Sequence, residues 1–342
     1  HVSNLYNTNH HEIKINEKDV LKSLPEIVNF LDEPIADNVC IPLYHLSKFI
    51  NKNSTKVIQV GEGADETMLG YWWVQHYLKK YIEIYGKGKT SNLIKIFKSF
   101  FFKNTQSISS SSKENLEFID RYKNNKQLFW GGATCFFTSE KNTLINKDIK
   151  YSNTNCPIKN LLPDEYDNED SSSIVGHYLN KLNGNLADPE ILQKITYLEL
   201  KMRIPEHLLM RIDKMTMSSS IEARVPFLDH EVVEWLNRLP LEYKLKLNDG
   251  KYILKKLGTK YFDHKFMFRQ KKGFGSPMNK WIQNEEFFRY LDYNFQNSKI
   301  FYHFLNKDEC FKILQQCKNG IDNSFKLWTV ANLVLWFNMN FN

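Results

Sequence analysis

Val57-Ile58-Gln59-Val60-Gly61-Glu62-Gly63-Ala64-Asp65-Glu66 reads as a buried strand that breaks into a glycine-spaced acidic loop, and residues 68–78 behind it have a helix-like pattern. A strand that ends in such a loop before a helix is the repeating unit of an open α/β sheet, where ligands bind outside the carboxyl ends of the strands. Gly61 and Gly63 let the backbone come close to a ligand, while Glu62, Asp65 and Glu66 supply carboxylates. An acidic turn capping a helix N-terminus would carry the same residues. The loop alone therefore leaves a ligand site and a structural cap both open.

Upstream, residues 10–15 alternate polar and apolar as a short strand, and Val20, Leu21, Leu24, Ile27, Val28 and Leu31 recur at a helical period. Strand, helix and strand together predict a βαβ unit. Ile41-Pro42 opens the next helix, where a missing N–H is no loss. Beyond the acidic loop strand signals nearly vanish. Residues 107–112 read as a low-complexity loop and 162–170 as an acidic connector. From Pro189 the pattern is helical over 191–202, 207–218, 230–239, 250–257, 285–293, 308–318 and 327–337. The fold expected is α/β, with a sheet-bearing part at 1–75, a variable helical insertion at 76–188 and a helical part at 189–342 that holds a late glycine-rich loop.

The chain has 342 residues, 42% of them apolar, enough for one large core or two modest ones. No apolar run reaches the roughly 18 residues of a membrane span, and the N-terminus lacks the layout of a signal peptide, so a cytoplasmic protein without a membrane partner is expected. The five cysteines form no C-x-x-C pair and read as reduced structural thiols. Ten histidines include no spaced metal set; His10-His11 reads as structural. A net charge of +7, from 46 basic and 39 acidic residues, favours nucleotide or phosphate over a nucleic-acid partner. The basic run 79–103 mixes Lys with apolar residues at helical spacing and is read as a surface helix pair.

Three further blocks carry more information: Asp32-Glu-Pro-Ile-Ala-Asp37 with Ile41-Pro42-Leu-Tyr44; Arg203-Ile-Pro-Glu-His-Leu-Leu-Met210-Arg-Ile-Asp213-Lys-Met-Thr-Met217 running into Glu222-Ala-Arg224-Val-Pro226-Phe-Leu-Asp229; and Phe268-Arg269-Gln270-Lys271-Lys272-Gly273-Phe274-Gly275. With the Gly61–Glu66 loop, these four blocks resemble, in order, the synthetase domain of the glutamine-dependent asparagine synthetases. The resemblance implies a sheet of the adenine-nucleotide α-hydrolase (ATP pyrophosphatase) type. It also implies an ATP-dependent amide ligase that adenylates a carboxylate, the aspartate side chain in the family, and lets glutamine-derived ammonia displace AMP. ATP and Mg2+ are the cofactors so implied, and an N-terminal glutaminase domain is the implied partner. A homodimer is left open. The alternatives are a related synthetase or amidotransferase acting on another carboxylate, and a non-catalytic synthetase-like module.

Carried over by matching motif, Lys271 would balance charge on the departing pyrophosphate. Glu62 would orient the intermediate or accept the ammonia proton. Gly61, Gly63, Asp65 and Val60 would line the nucleotide, with Asp65 a candidate for Mg2+ and Glu66 for capping the helix at Thr67. Asp213, Glu222 and Arg224 read equally as substrate contacts or as a polar joint in which a buried Arg224 pairs with Glu222 or Asp213. Asp229 reads as an N-cap, and Asp37 as a cap or a site residue. Three departures stand out. Val60 replaces the usual serine and loses a hydrogen bond worth roughly 0.5–1.5 kcal/mol. Leu69 differs from much of the family. The Ser-Gly-Gly-x-Asp-Ser loop that cradles phosphate is absent, Gly131-Gly132 reading only as a turn. The chain is accordingly read as a domain entered partway through, inactive by itself.

Overall fold

The computed structural model describes residues 1–85, 113–124, 126, 134–146, 171–185, 191–246, 249–271 and 273–341. The readings at 107–112, 131–132 and 162–170, most of 79–103, and Cys156 lie outside these residues. The fold is α/β, mostly helical, with a small parallel sheet. Two compact units interleave along the chain: His1–Ile58, Arg211–Arg224 and Gly273–Asn342 form the first, Gln59–Met210 and Val225–Lys272 the second. Among the described residues no helix is long and apolar enough to cross a membrane.

In the first unit the helix Glu17–Asn29 begins at a reciprocal cap: Asn16 accepts from Lys18 and Asp19 N–H groups, and Asp19 accepts from Asn16. Its buried residues Val20, Leu24, Ile27 and Val28 are those of the helical period. The helix Ser324–Phe341 packs against it and buries Leu327, Trp328, Ala331, Val334 and Leu335; Trp336 Nε1 donates to the Leu31 carbonyl at 3.1 Å. Fully buried aliphatic side chains of this size each stabilise by about 1.5–3 kcal/mol relative to exposure.

One strand expectation fails here and another holds only in part. Residues 10–15 form no strand: 10–12 and 14 are exposed, and among the described residues the alternation finds no backbone partner to satisfy its N–H and C=O groups. Strand β1, Val57–Gln59, does form and pairs in parallel with β2, Glu222–Arg224, the Glu222 N–H donating to the Lys56 carbonyl at 2.8 Å. It is not buried, however; Val57 is 41% exposed. Among the described residues the sheet has two strands only, so an apolar run meets no second neighbour and no covering layer.

The second unit has a core of Leu69, Trp73, Val74, Tyr77, Leu78, Phe118, Leu192, Ile195 and Leu245. The helix expected over 68–78 is split into Ala64–Thr67 and Trp72–Tyr85. Leu69 breaks it, with a left-handed φ of 55° while 2% exposed, so burial of its side chain outweighs the backbone strain. The helices expected over 191–202 and 207–218 run on without a gap: α-helix Ile191–Leu198, π-helix Glu199–Leu209 and α-helix Met210–Met217. Strands β3, Leu245–Lys246, and β4, Asp249–Gly250, close a short antiparallel pair.

Candidate functional site

Gly63 has φ 95°, and a Cβ there would lie 2.3 Å from Leu228 Cδ2, so only glycine fits this turn. At Gly61 a Cβ would meet nothing within 4 Å. Glu66 holds the loop in shape. It is 2% exposed, and its carboxylate accepts the Gly63 N–H at 3.0 Å while Thr67 Oγ1 donates to the Gly63 carbonyl at 2.6 Å. The capping role expected for Glu66 is thus directed back at the Gly63 N–H, glycine having no side chain to return the bond.

The other oxygen of Glu66 accepts the Tyr71 hydroxyl and lies 3.5 Å from Arg203 Nη1, which donates to Glu199 Oε2 at 2.9 Å. Arg203 lies over the Tyr71 ring at 4.5 Å and 5.6 Å from that of Trp73, and the two rings stack 5.5 Å apart. Glu199 and Arg203 both sit in the π-helical segment, a geometry that often re-aims side chains at functional sites. Burial works against the Arg203 charge, but Glu199 and the Tyr71 oxygen outweigh it and hold the guanidinium ionised. Burial, then Glu66, pushes the Tyr71 phenol up, so it remains a donor.

Asp65 projects from the same turn. Its Oδ1 lies 2.9 Å from Nζ of both Lys271 and Lys251, and Lys271 Nζ stands 4.5 Å from the Tyr71 ring centroid. Burial would raise its pKa, but Lys251 and then Lys271 hold the carboxyl below its usual range. Lys251 is doubly attached, since its backbone N–H donates to the Met68 carbonyl at 2.8 Å. Lys271 is 43% exposed against 20% for Asp65, so the lysine is the group free to turn toward an incoming anion. Two ammonium groups on one carboxylate leave a net positive charge, which suits phosphate. The same pairing does not fit Mg2+ at Asp65: a metal there would stand beside two positive charges. Among the described residues no three His, Cys, Asp or Glu side chains gather as for a metal ion.

Gly70 backs onto this ion cluster. A Cβ on it would fall 1.9 Å from Asp65 Oδ1, so Gly70→Ala is expected to displace the carboxylate and cost about 1–3 kcal/mol. Gly176, inside a helix with nothing within 4 Å, is the comparison: Ala there should stabilise by roughly 0.5–1 kcal/mol. Urea midpoints of the two variants should move in opposite directions.

Glu62 and Val60 are half-buried in the second unit beside this turn in the chain. Asp229, also there, caps the helix His230–Arg238, accepting the Glu231 N–H at 3.0 Å. In the first unit the expected polar joint is different. Glu222 and Arg224 pair at 2.7 Å but are 58% and 62% exposed, and Asp213 is exposed. The buried arginine is Arg211, paired with Asp37, while Lys214 pairs with Asp32. Asp37 also accepts the Val39 N–H at 3.0 Å just ahead of the helix Cys40–Lys52. The late loop docks in that unit through Ser276, whose Oγ donates to the Asn38 carbonyl at 2.8 Å. Burial raises the thiols of Cys40 and Cys310, the latter to about 12.

Sequence reasoning missed Glu199, Arg203, Tyr71 and Lys251. A signal existed for the first two: they are charges four apart inside the run of Leu192, Ile195, Leu198 and Met202. Nothing comparable marked Lys251.

A family model described as asparagine synthase matches residues 1–338. The chain is 28% identical over 330 residues to asparagine synthetase (glutamine-hydrolysing) 1 of Bacillus subtilis, a match covering 95% of this chain and 47% of that protein. It is 25% identical over 324 residues to a protein of Mycobacterium tuberculosis described as a putative glutamine-hydrolysing asparagine synthetase, covering 94% and 45% respectively. The chain spans about half the length of the curated relatives it matches over most of its own length.

Proposed function

Because the chain belongs to the asparagine synthase family, we propose that it is the synthetase part of an ATP-dependent amide ligase, amidating the side chain of aspartate with ammonia from glutamine. The observation that supports this is the convergence of Lys251 and Lys271 on Asp65, at the turn of the loop that carries Glu62. ATP enters as a substrate. The substrate carboxylate attacks its α-phosphorus, and negative charge grows on the leaving pyrophosphate. Lys271, exposed and held in place by Asp65 and the Tyr71 ring, is the cation that meets this charge, with Lys251 behind it. Ammonia then attacks the acyl carbon and AMP leaves. Glu62 accepts the proton lost by the amine. The sheet that holds the loop is proposed to be of the adenine-nucleotide α-hydrolase type, and the ammonia to come from a glutaminase domain.

Glu62→Gln keeps the size of the side chain but neither accepts a proton nor carries charge. In the protein at its natural length, amide formation is expected to fall by about 10²–10⁴-fold while aspartate-dependent pyrophosphate release persists. Product assayed by amino-acid analysis alongside released pyrophosphate checks this. Equal amide yield from variant and parent removes Glu62 from the second step. Running the exchange of pyrophosphate into ATP with aspartate and with other carboxylates identifies the acceptor.

A further inference from the structure

Residues 244–272 carry ten Lys or Arg against two Asp, an excess larger than the +7 of the whole chain, and denser in cations than the run 79–103. Within this segment the helices Tyr252–Gly258 and His264–Met267 form a tight hairpin. Gly258 permits the close approach: a Cβ on it would lie 2.2 Å from Met267 Cε. Phe268 is stacked on His264 at 4.3 Å and meets Tyr252 edge-on at 6.3 Å.

Both acids of the segment are already engaged. Asp249 pairs with Lys255 at 2.6 Å, and Asp263 caps the second helix by accepting the Phe266 N–H at 2.7 Å. Lys256, Lys260 and Lys265 are exposed, and no acidic group among the described residues pairs with them. The hairpin begins at Lys251, already on Asp65, and ends just before Lys271, which shares that carboxylate. Unpaired cations on a hairpin that starts and ends beside a pair of lysines raise the positive potential around that pair.

We infer that the outer face of this hairpin, through Lys256, Lys260 and Lys265, is a capture surface for polyphosphate, drawing ATP toward Lys251 and Lys271; this rests on the ATP reading of the site. A nucleic acid is the less favoured partner, because base stacking needs several outward rings. Here Tyr261 is exposed, but Phe262 and Phe266 meet at 5.2 Å, Phe268 lies between His264 and Tyr252, and Arg269 covers Phe266 at 4.0 Å.

The test is the triple variant K256E/K260E/K265E in the protein at its natural length, with K256Q/K260Q/K265Q as the half-dose control. Near 10 mM salt, where the Debye length is about 30 Å, kcat/KM for ATP should fall about 10-fold or more with kcat unchanged. Above about 0.15 M salt, with screening within about 8 Å, variant and parent should converge. Unchanged kcat/KM at low salt overturns the inference, as does loss of oligonucleotide binding with ATP capture intact. Lys271→Met, run in parallel, separates the two readings. If it leaves exchange untouched, the ATP reading of the site fails; if it abolishes exchange while the triple variant behaves as parent, only the capture surface fails.

Discussion

Lys271→Met is expected to lower carboxylate-dependent exchange of pyrophosphate into ATP by about 10²–10³-fold, the usual consequence of removing a charged group aimed at charge that grows in the transition state. Methionine keeps the stem and removes the ammonium. The fold should tolerate the change, because Lys271 is 43% exposed and Lys251 remains 2.9 Å from the same Asp65 oxygen. Exposed ion pairs are worth about 0–1 kcal/mol, so the urea midpoint should shift little. The glutaminase activity proposed for the whole protein, measured as glutamate release, should be largely retained. Exchange at the parental rate would take Lys271 out of the mechanism, and a large loss of stability would make its role structural.

Arg203→Met should act the other way, on stability first. Glu66 and Glu199 are 2% and 1% exposed and share this guanidinium. Without it two buried carboxylates face each other without a cation, at a cost of about 3–5 kcal/mol. Adding Glu199→Leu removes one of the stranded charges and should recover part of that loss. The coupling follows from a double-mutant cycle of urea unfolding. If the double variant recovers none of the loss, Arg203 contributes by packing on Tyr71 and Trp73 alone.

Helices were legible wherever burial is one-sided. The period of Val20, Leu24, Ile27 and Val28 in the sequence is the buried face of Glu17–Asn29, and the apolar run 327–337 lies inside Ser324–Phe341. Strands were less legible because a strand depends on a partner that local sequence does not contain. Residues 10–15 alternate as a strand should and have none among the described residues, whereas residues 57–59 pair with residues some 165 positions later and stay unburied. The site divided in the same manner. The acidic loop and the lysine of the late loop could be read from motifs, but not that they meet at one oxygen of Asp65.

Local chemistry by itself was sufficient for family membership, the helical periods and the cap at Asp229, since each depends on a few neighbouring residues or on a motif. Only the tertiary structure decided that Glu66 is the buried anchor of the loop, that Arg203 reaches it from a π-helical segment 137 positions away, that Arg211 rather than Arg224 is the buried arginine, and that Lys251 backs Lys271. The physical reason is that a charge enters the interior only with its counter-charge, and which residues meet there is set by packing rather than by spacing along the chain.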